Sequence, residues 1–361
     1  MIEAYKAVLE DAKGLPGEFF TSDDIFAAES DHLFAKNWAF AGLTDDVASK
    51  GEVYPTFVAN QPIIVTRAKD GKIRAFYNVC RHRGALLATE LKSKQKRIVC
   101  PYHAWSYGLD GKLLHTPHIG GFGKHSCESL PTDGLDLMDI RTAVWGPFIF
   151  VNFSGDAPEF SDFIHPIEQR LNFVELDRLR LAPESHACID VKANWKLVIE
   201  NYVESYHVPL VHPELERVNP MSDHYQILGG DSYVGQGGIA ADLEIQLESP
   251  LPTFTDAKDA AAYEGLYIFP GLIITCLPNS VFALIPSPIA PELTRERVVV
   301  FFVGDDALRN DLSNARKTLV KDWIVRVNNQ DISIIENVQK GRSSKAFDGG
   351  RFARKQEQTS L

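Results

Sequence analysis

The chain has 361 residues, enough for about two domains, and its 45% hydrophobic and 24% charged content is that of an ordinary globular protein. With 48 acidic against 37 basic residues the net charge is -11, which argues against nucleic acid or an anionic membrane as partner, because both reward clustered Lys and Arg. No apolar run reaches membrane-spanning length and the acidic start MIEAYKAVLEDAKG is unlike a signal peptide, so a cytoplasmic protein is expected, whose five cysteines pack or bind metal rather than form disulfides.

Residues 1–38 read as a helical segment packing on the C-terminal domain, with Thr21 or Ser22 opening a stretch whose Ile25, Phe26, Leu33, Phe34 and Trp38 form an apolar stripe. Over 39–153 the texture changes to short β-type runs such as VYPTFVA and PIIVTRA, separated by turn signals at Lys69-Asp70-Gly71 and Asp110-Gly111. From 154 to 361, helical stretches near 157–177, 194–208 and 307–340 flank β-type segments at 184–192, 226–246, 266–287 and 296–303. The expected fold is therefore α+β: an N-terminal all-β domain, then a domain with an antiparallel sheet flanked by helices.

Within the β domain, Cys80-Arg81-His82 and Cys100-Pro101-Tyr102-His103 each offer one thiolate and one imidazole from a tight turn. Two Cys and two His could hold a structural zinc. Each arm, however, pairs one Cys with one His, which fits a two-iron, two-sulfur cluster with the thiolates on one iron and the imidazoles on the other. Trp105 and Tyr107 are expected in the core rather than over the cluster. Lys92, Lys94, Lys96 and Arg97 lie between the arms, on a hairpin tip that either receives an acidic electron donor or is simply solvated. Cys127, Cys188 and Cys276 are expected as packing residues, and His115, His118 and His125 as surface or turn residues.

The stretch 194–213, NWKLVIENYVESYHVPLVHP, reads as a helix capped by Asn194, with Trp195, Val198, Ile199, Tyr202, Val203 and Tyr206 on an apolar face. Glu204 and His207 are three apart and share a face, whereas His207 and His212 would diverge on an unbroken helix. Pro209 is expected to end the helix and fold His212 back. On this stretch alone, a metal-binding pair and a core helix with hydrogen-bonded histidines both stand.

The Cys/His arms, set in CRHRGALL and CPYHAWSYGLDG, resemble the Rieske family, and Glu204-Ser205-Tyr206-His207 with His212 beyond resembles the iron motif of Rieske non-haem iron ring-hydroxylating oxygenase alpha subunits. The resemblance covers nearly the whole chain. It implies a [2Fe-2S] cluster on Cys80, His82, Cys100 and His103, and a mononuclear Fe(II) on His207, His212 and a carboxylate from a C-terminal helix. That carboxylate is Asp331 in Asn329-Gln330-Asp331, followed by Glu336, Val338, Gln339 and Gly341 in the family's tail pattern, with Asp322 the alternative. It further implies a homotrimer in which Glu204 bridges a ligand histidine and a cluster histidine of a neighbouring chain, so that electrons pass through His103 or His82 and Glu204 to the iron.

The implied activity is that of a monooxygenase or dioxygenase using O2, with electrons from a separate NAD(P)H-dependent flavin and iron-sulfur reductase or a ferredoxin. No Gly-rich dinucleotide loop occurs in the chain, in keeping with a separate reductase. Many family members carry Asp at position 204; Glu resembles the branch acting on carnitine, betaines and choline. A small quaternary ammonium substrate, hydroxylated or oxidatively cleaved or demethylated, is expected in an aromatic enclosure drawn from Tyr202, Tyr206, Tyr263, Tyr267, Phe269, Phe282 and Trp323. The alternatives are hydroxylation or O-demethylation of an aromatic acid, which predicts an Arg or polar anchor, and a Rieske electron carrier without catalysis.

Overall fold

The computed structural model describes residues 13–128, 132–239, 251–255, 262–353 and 355–360; residues 1–12 of the expected N-terminal helix and 240–246 of an expected strand lie outside them. The chain divides into two compact units, Ser30–Phe160 and Met1–Glu29 with Ser161–Leu361. The N-terminal segment is helical in short pieces, a 3-10 turn Gly17–Phe20, an α-helix Asp23–Glu29 and a π-helical turn Ser30–Phe34. Of the expected stripe, Phe26, Phe34 and Trp38 are buried while Ile25 and Leu33 are only half-buried.

The unit Ser30–Phe160 is all β. Its strands are β1 (Ala39–Leu43), β2 (Val53–Val58), β3 (Gln61–Arg67), β4 (Ile73–Tyr77), β5 (Ile98–Val99), β6 (Ser106–Tyr107), β7 (Leu113–His115), β8 (Asp139–Trp145) and β9 (Phe148–Asn152). They form an antiparallel sheet of order β1-β9-β8-β4-β3-β2 and a small sheet β5-β6-β7. Both expected turns are present. Asp70 Oδ1 accepts the Lys72 N–H at 3.0 Å around Gly71, and Gly111 has φ +84° at a point where a Cβ would fall 2.4 Å from the Phe76 ring. Val53, Ile64, Phe76, Trp105, Tyr107 and Leu109 form one buried cluster that includes Cys80 and Cys100.

The second unit is built on β10 (Leu179–Val191), β11 (His224–Leu228), β12 (Tyr233–Ile239), β13 (Ala262–Ile268), β14 (Leu272–Leu277), β15 (Ser280–Ala290) and β16 (Leu293–Val303). Strands β11 to β16 run as an antiparallel meander and β10 adds to β16 at the other edge. The expected single segment 266–287 is thus parts of three strands, because Gly271 and the Pro278–Asn279 turn reverse the chain within an apolar run that shows no period of its own. Register sets Thr275 opposite Phe282 and Leu284 opposite Val298, so Thr275, Phe282, Leu284, Glu296 and Val298 share one sheet face. The helical region expected over 307–340 is interrupted: 3-10 turns and a short helix Ser313–Lys317 lead into a π-helical stretch Thr318–Val325 and the α-helix Arg326–Arg342. Among the described residues no helix is long and apolar enough to cross a membrane.

Candidate metal centres

The two Cys/His arms are one turn used twice. The Cys80 N–H donates to Ala85 O at 2.8 Å and the Gly84 N–H to Cys80 O at 3.0 Å; the Cys100 N–H donates to Trp105 O at 2.8 Å and the Ala104 N–H to Cys100 O at 3.1 Å. Gly84 (φ +75°) and Ala104 (φ +56°) hold the matching left-handed position. Asn78 fastens the first arm: its Oδ1 accepts the Leu87 and Ala88 N–H groups at 2.9 and 3.0 Å, and its amide donates to Ala88 O at 2.6 Å. The His82 and His103 rings meet edge to face with centroids 4.7 Å apart, and Trp105 stacks on His82 at 4.8 Å. Tyr107 takes the Arg81 N–H at 3.0 Å and lies 3.4 Å from Cys80 Sγ. Trp105 and Tyr107, expected only as core, are therefore buried and also touch the ligand turns.

These residues fit a two-iron cluster. His103 Nδ1 is buried without a hydrogen-bond partner, a cost that a metal bond would remove. Burial, with the neighbouring His103 and Arg83, holds the His82 imidazole below its ordinary pKa, which favours the neutral form that a ligand needs. Zinc bonds of about 2.0–2.3 Å would draw four donors together. Among the described residues, the only three-donor group gathered within 4.8 Å lies elsewhere, at His207, His212 and Asp331.

Outside the arms, Lys94, Lys96 and Arg97 are exposed on an irregular loop rather than a hairpin tip, pinned by the pairing of Lys92 with Val53. His115, His118 and His125 are exposed. Cys276 is buried and Cys127 half-buried, but Cys188 is exposed on edge strand β10, so it is not the packing residue expected.

In the second unit, Asn194 caps the helix Trp195–Tyr202 by accepting the Lys196 N–H at 3.0 Å. The helix ends at Tyr202, well before Pro209. Glu204 turns its carboxylate back onto the Tyr206 and His207 N–H groups, which starts a new turn, and Pro209 lies inside the one-turn helix Val208–Val211, where its missing N–H costs nothing. Tyr206, expected on the buried face, is consequently exposed. His212 follows at φ -126°, ψ 62°, and this break brings the two imidazoles to 5.3 Å.

Each imidazole is held at Nδ1, by Glu204 Oε1 at 2.5 Å for His207 and by Gln330 Oε1 at 2.8 Å for His212. Both acceptors place a proton on Nδ1 and leave Nε2 as the lone pair, aimed at Asp331 Oδ1 from 3.5 Å (His207) and 2.8 Å (His212). Three electron-rich atoms converging on one point are the donor set of a cation, and two His with one carboxylate suit non-haem iron with open positions. Burial pushes the His212 pKa down, but Asp331 and Gln330 outweigh it and the net shift is upward. Asp322 is exposed on the π-helical stretch and is not part of this group.

Asp331 reaches the histidines because the helix Arg326–Arg342 is tied to the helix Trp195–Tyr202. Gln339 Oε1 accepts the Asn194 N–H at 3.0 Å, Glu336 Oε1 accepts the Lys192 N–H at 3.0 Å, Arg342 pairs with Glu200 at 2.5 Å, and Asn201 donates to Asp331 at 3.3 Å. The tail pattern thus works as a latch. Gln330 and Asn201 escaped the sequence reading, although Gln330 adjoins Asp331, where a residue supporting a ligand is to be looked for.

A cavity of about 190 Å³ opens over the three donors. The shared sheet face supplies Thr275, Phe282, Leu284, Glu296 and Val298, and the helices add Tyr202, Trp323 and Asn328. Of the seven expected aromatics, Tyr202, Tyr263, Phe282 and Trp323 line it; Tyr206, Tyr267 and Phe269 do not. Tyr202 lies against the sheet because β13 offers Gly265, where a Cβ would come 2.5 Å from the Tyr202 hydroxyl. Gly265→Ala is accordingly expected to cost about 1–3 kcal/mol, read as a lower Tm, and to raise KM by displacing that ring.

Comparison with known proteins places both units. The ring hydroxylating alpha subunit (catalytic domain) family matches residues 177–360 and the Rieske [2Fe-2S] domain family matches residues 37–131. The chain is 39% identical over 201 residues to the glycine betaine monooxygenase oxygenase subunit of Chromohalobacter salexigens, a match covering 56% of this chain and 43% of that protein, less than half of its length. It is 27% identical over 363 residues to the carnitine monooxygenase oxygenase subunit of Escherichia coli K12, covering 96% of this chain and 89% of that one. A solved quaternary ammonium Rieske monooxygenase has the same fold, with TM-score 0.82, 24% identity and coverage of 98% and 93% of the two chains. So does a naphthalene 1,2-dioxygenase from Rhodococcus, with TM-score 0.78, 18% identity and coverage of 96% and 87%. The chain belongs to the ring-hydroxylating oxygenase alpha subunits, a family with a Rieske [2Fe-2S] cluster in the N-terminal domain and a mononuclear iron in the catalytic domain.

Proposed function

We propose that the chain is the cytoplasmic terminal oxygenase of a Rieske system that oxidises a small quaternary ammonium compound, with the cluster on Cys80, His82, Cys100 and His103 and iron on His207, His212 and Asp331. The observation that carries the substrate class is the cavity wall. It presents four aromatic rings and the carboxylates of Glu204, Glu296 and Asp331, and no Lys or Arg among its described lining residues. For the carboxylate of an aromatic acid the lining offers only neutral polar groups such as Asn219 and Gln236 and no cationic anchor, whereas an alkylammonium head is suited by the aromatic faces. The names of the glycine betaine and carnitine relatives support this reading.

When bound, the cluster relays single electrons and the iron activates dioxygen, so that one oxygen atom enters a substrate C–H bond and the other leaves as water. The chain's own residues orient and exclude. Glu204 and Gln330 fix the ligand imidazoles, the aromatic walls position the substrate and keep water out, and Glu204, held by its own backbone turn, holds His207 at Nδ1. Electrons come from a separate reductase, and the oxygenase works as a homotrimer in which Glu204 meets a cluster histidine of the neighbouring subunit. A related solved structure is described as showing inter-subunit electron transfer. The test is substrate-dependent oxygen and NAD(P)H consumption with a partner reductase, using glycine betaine, carnitine, choline and methylated amines against aromatic acids. Turnover of the ammonium compounds alone is expected; turnover of an aromatic acid alone would overturn the reading.

A further inference from the structure

We propose that Glu296 is the counter-charge for the substrate's cationic nitrogen and the residue that makes the cavity prefer a cation over a neutral molecule of the same shape. This rests on the quaternary ammonium reading above. Glu296 sits on β16 on the cavity face, 1% exposed. Its Oε2 accepts a hydrogen bond from Asn328 Nδ2 at 2.7 Å, and no cationic side chain meets it among the described residues.

Four other glutamates of this unit, one buried and three half-buried, show what is missing. Glu29 has Lys196 at 2.6 Å, Glu200 has Arg342 at 2.5 Å, Glu184 has Arg316 at 2.7 Å and Glu264 has Arg170 at 2.6 Å. Each of these carboxylates is neutralised from within the chain; Glu296 is not. Instead burial, only partly relieved by Asn328 and worsened by the charge of Asp331, pushes it up to about 7. A buried carboxylate without a cationic partner is a standing cost to folding, and the side that Asn328 leaves open is the cavity. The missing charge is one that enters with the ligand.

Position favours the substrate as its source. Asn328 precedes Asp331 by three residues on the helix Arg326–Arg342, about 4.5 Å along the axis, so a cation at Glu296 sits within one turn of the carboxylate donor. A nitrogen held there presents the carbons bonded to it toward His207, His212 and Asp331, which is where oxidation next to nitrogen requires them. Phe282 and Trp323 supply apolar and π surface for the alkyl groups that a hydrogen-bonding site would reject.

The test is calorimetric binding to the fully loaded protein under anaerobic conditions, with choline, glycine betaine and carnitine as cations and 3,3-dimethylbutan-1-ol as the neutral isostere of choline. Wild type is expected to prefer choline to the isostere by at least about tenfold, and Glu296→Gln to lose that preference, with cation affinity down by at least about tenfold and isostere affinity unchanged. Gln keeps the oxygen that Asn328 needs and removes the buried charge, so its Tm is expected at or above that of wild type. Cation binding in Glu296→Gln within about twofold of wild type, or a wild type that binds choline and its isostere alike, would overturn the assignment while leaving the substrate class standing. Failure of wild type to bind any of the cations would instead sink the substrate class itself.

Discussion

Asp331→Ala is expected to strip the catalytic iron and leave the cluster untouched, so that iron falls from about three to about two per chain while the visible bands of the cluster persist. Asp331 is the only carboxylate among the three converging donors, and it meets both Nε2 atoms with one oxygen. Without it, two neutral imidazoles remain in a partly buried site, too few to hold Fe(II) against water. Turnover should drop at least about a thousandfold. Iron analysis with the absorption spectrum checks both halves at once: three irons retained, or loss of the cluster along with the catalytic iron, would show that Asp331 does not complete a separate site.

Glu204→Gln separates electron delivery from metal binding. The carboxylate grips His207 Nδ1 at 2.5 Å and accepts the Tyr206 and His207 N–H groups with its other oxygen. An amide keeps one acceptor and turns an N–H2 toward donors, so the hinge between the two short helices loosens without removing a ligand. Both metals should stay bound and the cluster should still be reduced by its partner. Turnover, however, should fall by about 100-fold or more. Rapid reduction of the cluster followed by slow single turnover is the expected signature, and full activity would refute the bridging role.

Much of this was legible because metal ligands are chemically rare and their spacing is local. The Cys/His arms and the Glu204, His207 and His212 set could be picked out from residue type alone, and the all-β character of the first domain from alternation and turn residues. The path between them was less so. The helix from Asn194 was expected to run to Pro209, but apolar periodicity cannot foresee that the Glu204 side chain competes for backbone N–H groups and ends the helix at Tyr202. Asp331 required family resemblance, since an acid on a helix has many uses. Tyr206, Tyr267 and Phe269 were as plausible for the cavity as Tyr202 and Phe282, because aromatic residues look alike until register assigns them a face.

The sequence by itself determined which thiolates and imidazoles are candidates for metal binding and roughly where each domain lies, since such groups at fixed spacing carry their chemistry wherever they are placed. Only the tertiary structure decided what stands opposite what. Glu296 on a strand, Asn328 and Asp331 on a helix, and His212 after a backbone break are 119 residues apart at their widest and share no local pattern. Their meeting follows from strand register and from a helix latched by Gln339 and Arg342. Side chains from distant segments come together when burial and hydrogen bonding fix two elements against each other, and those forces act on surfaces that exist only after the chain has folded.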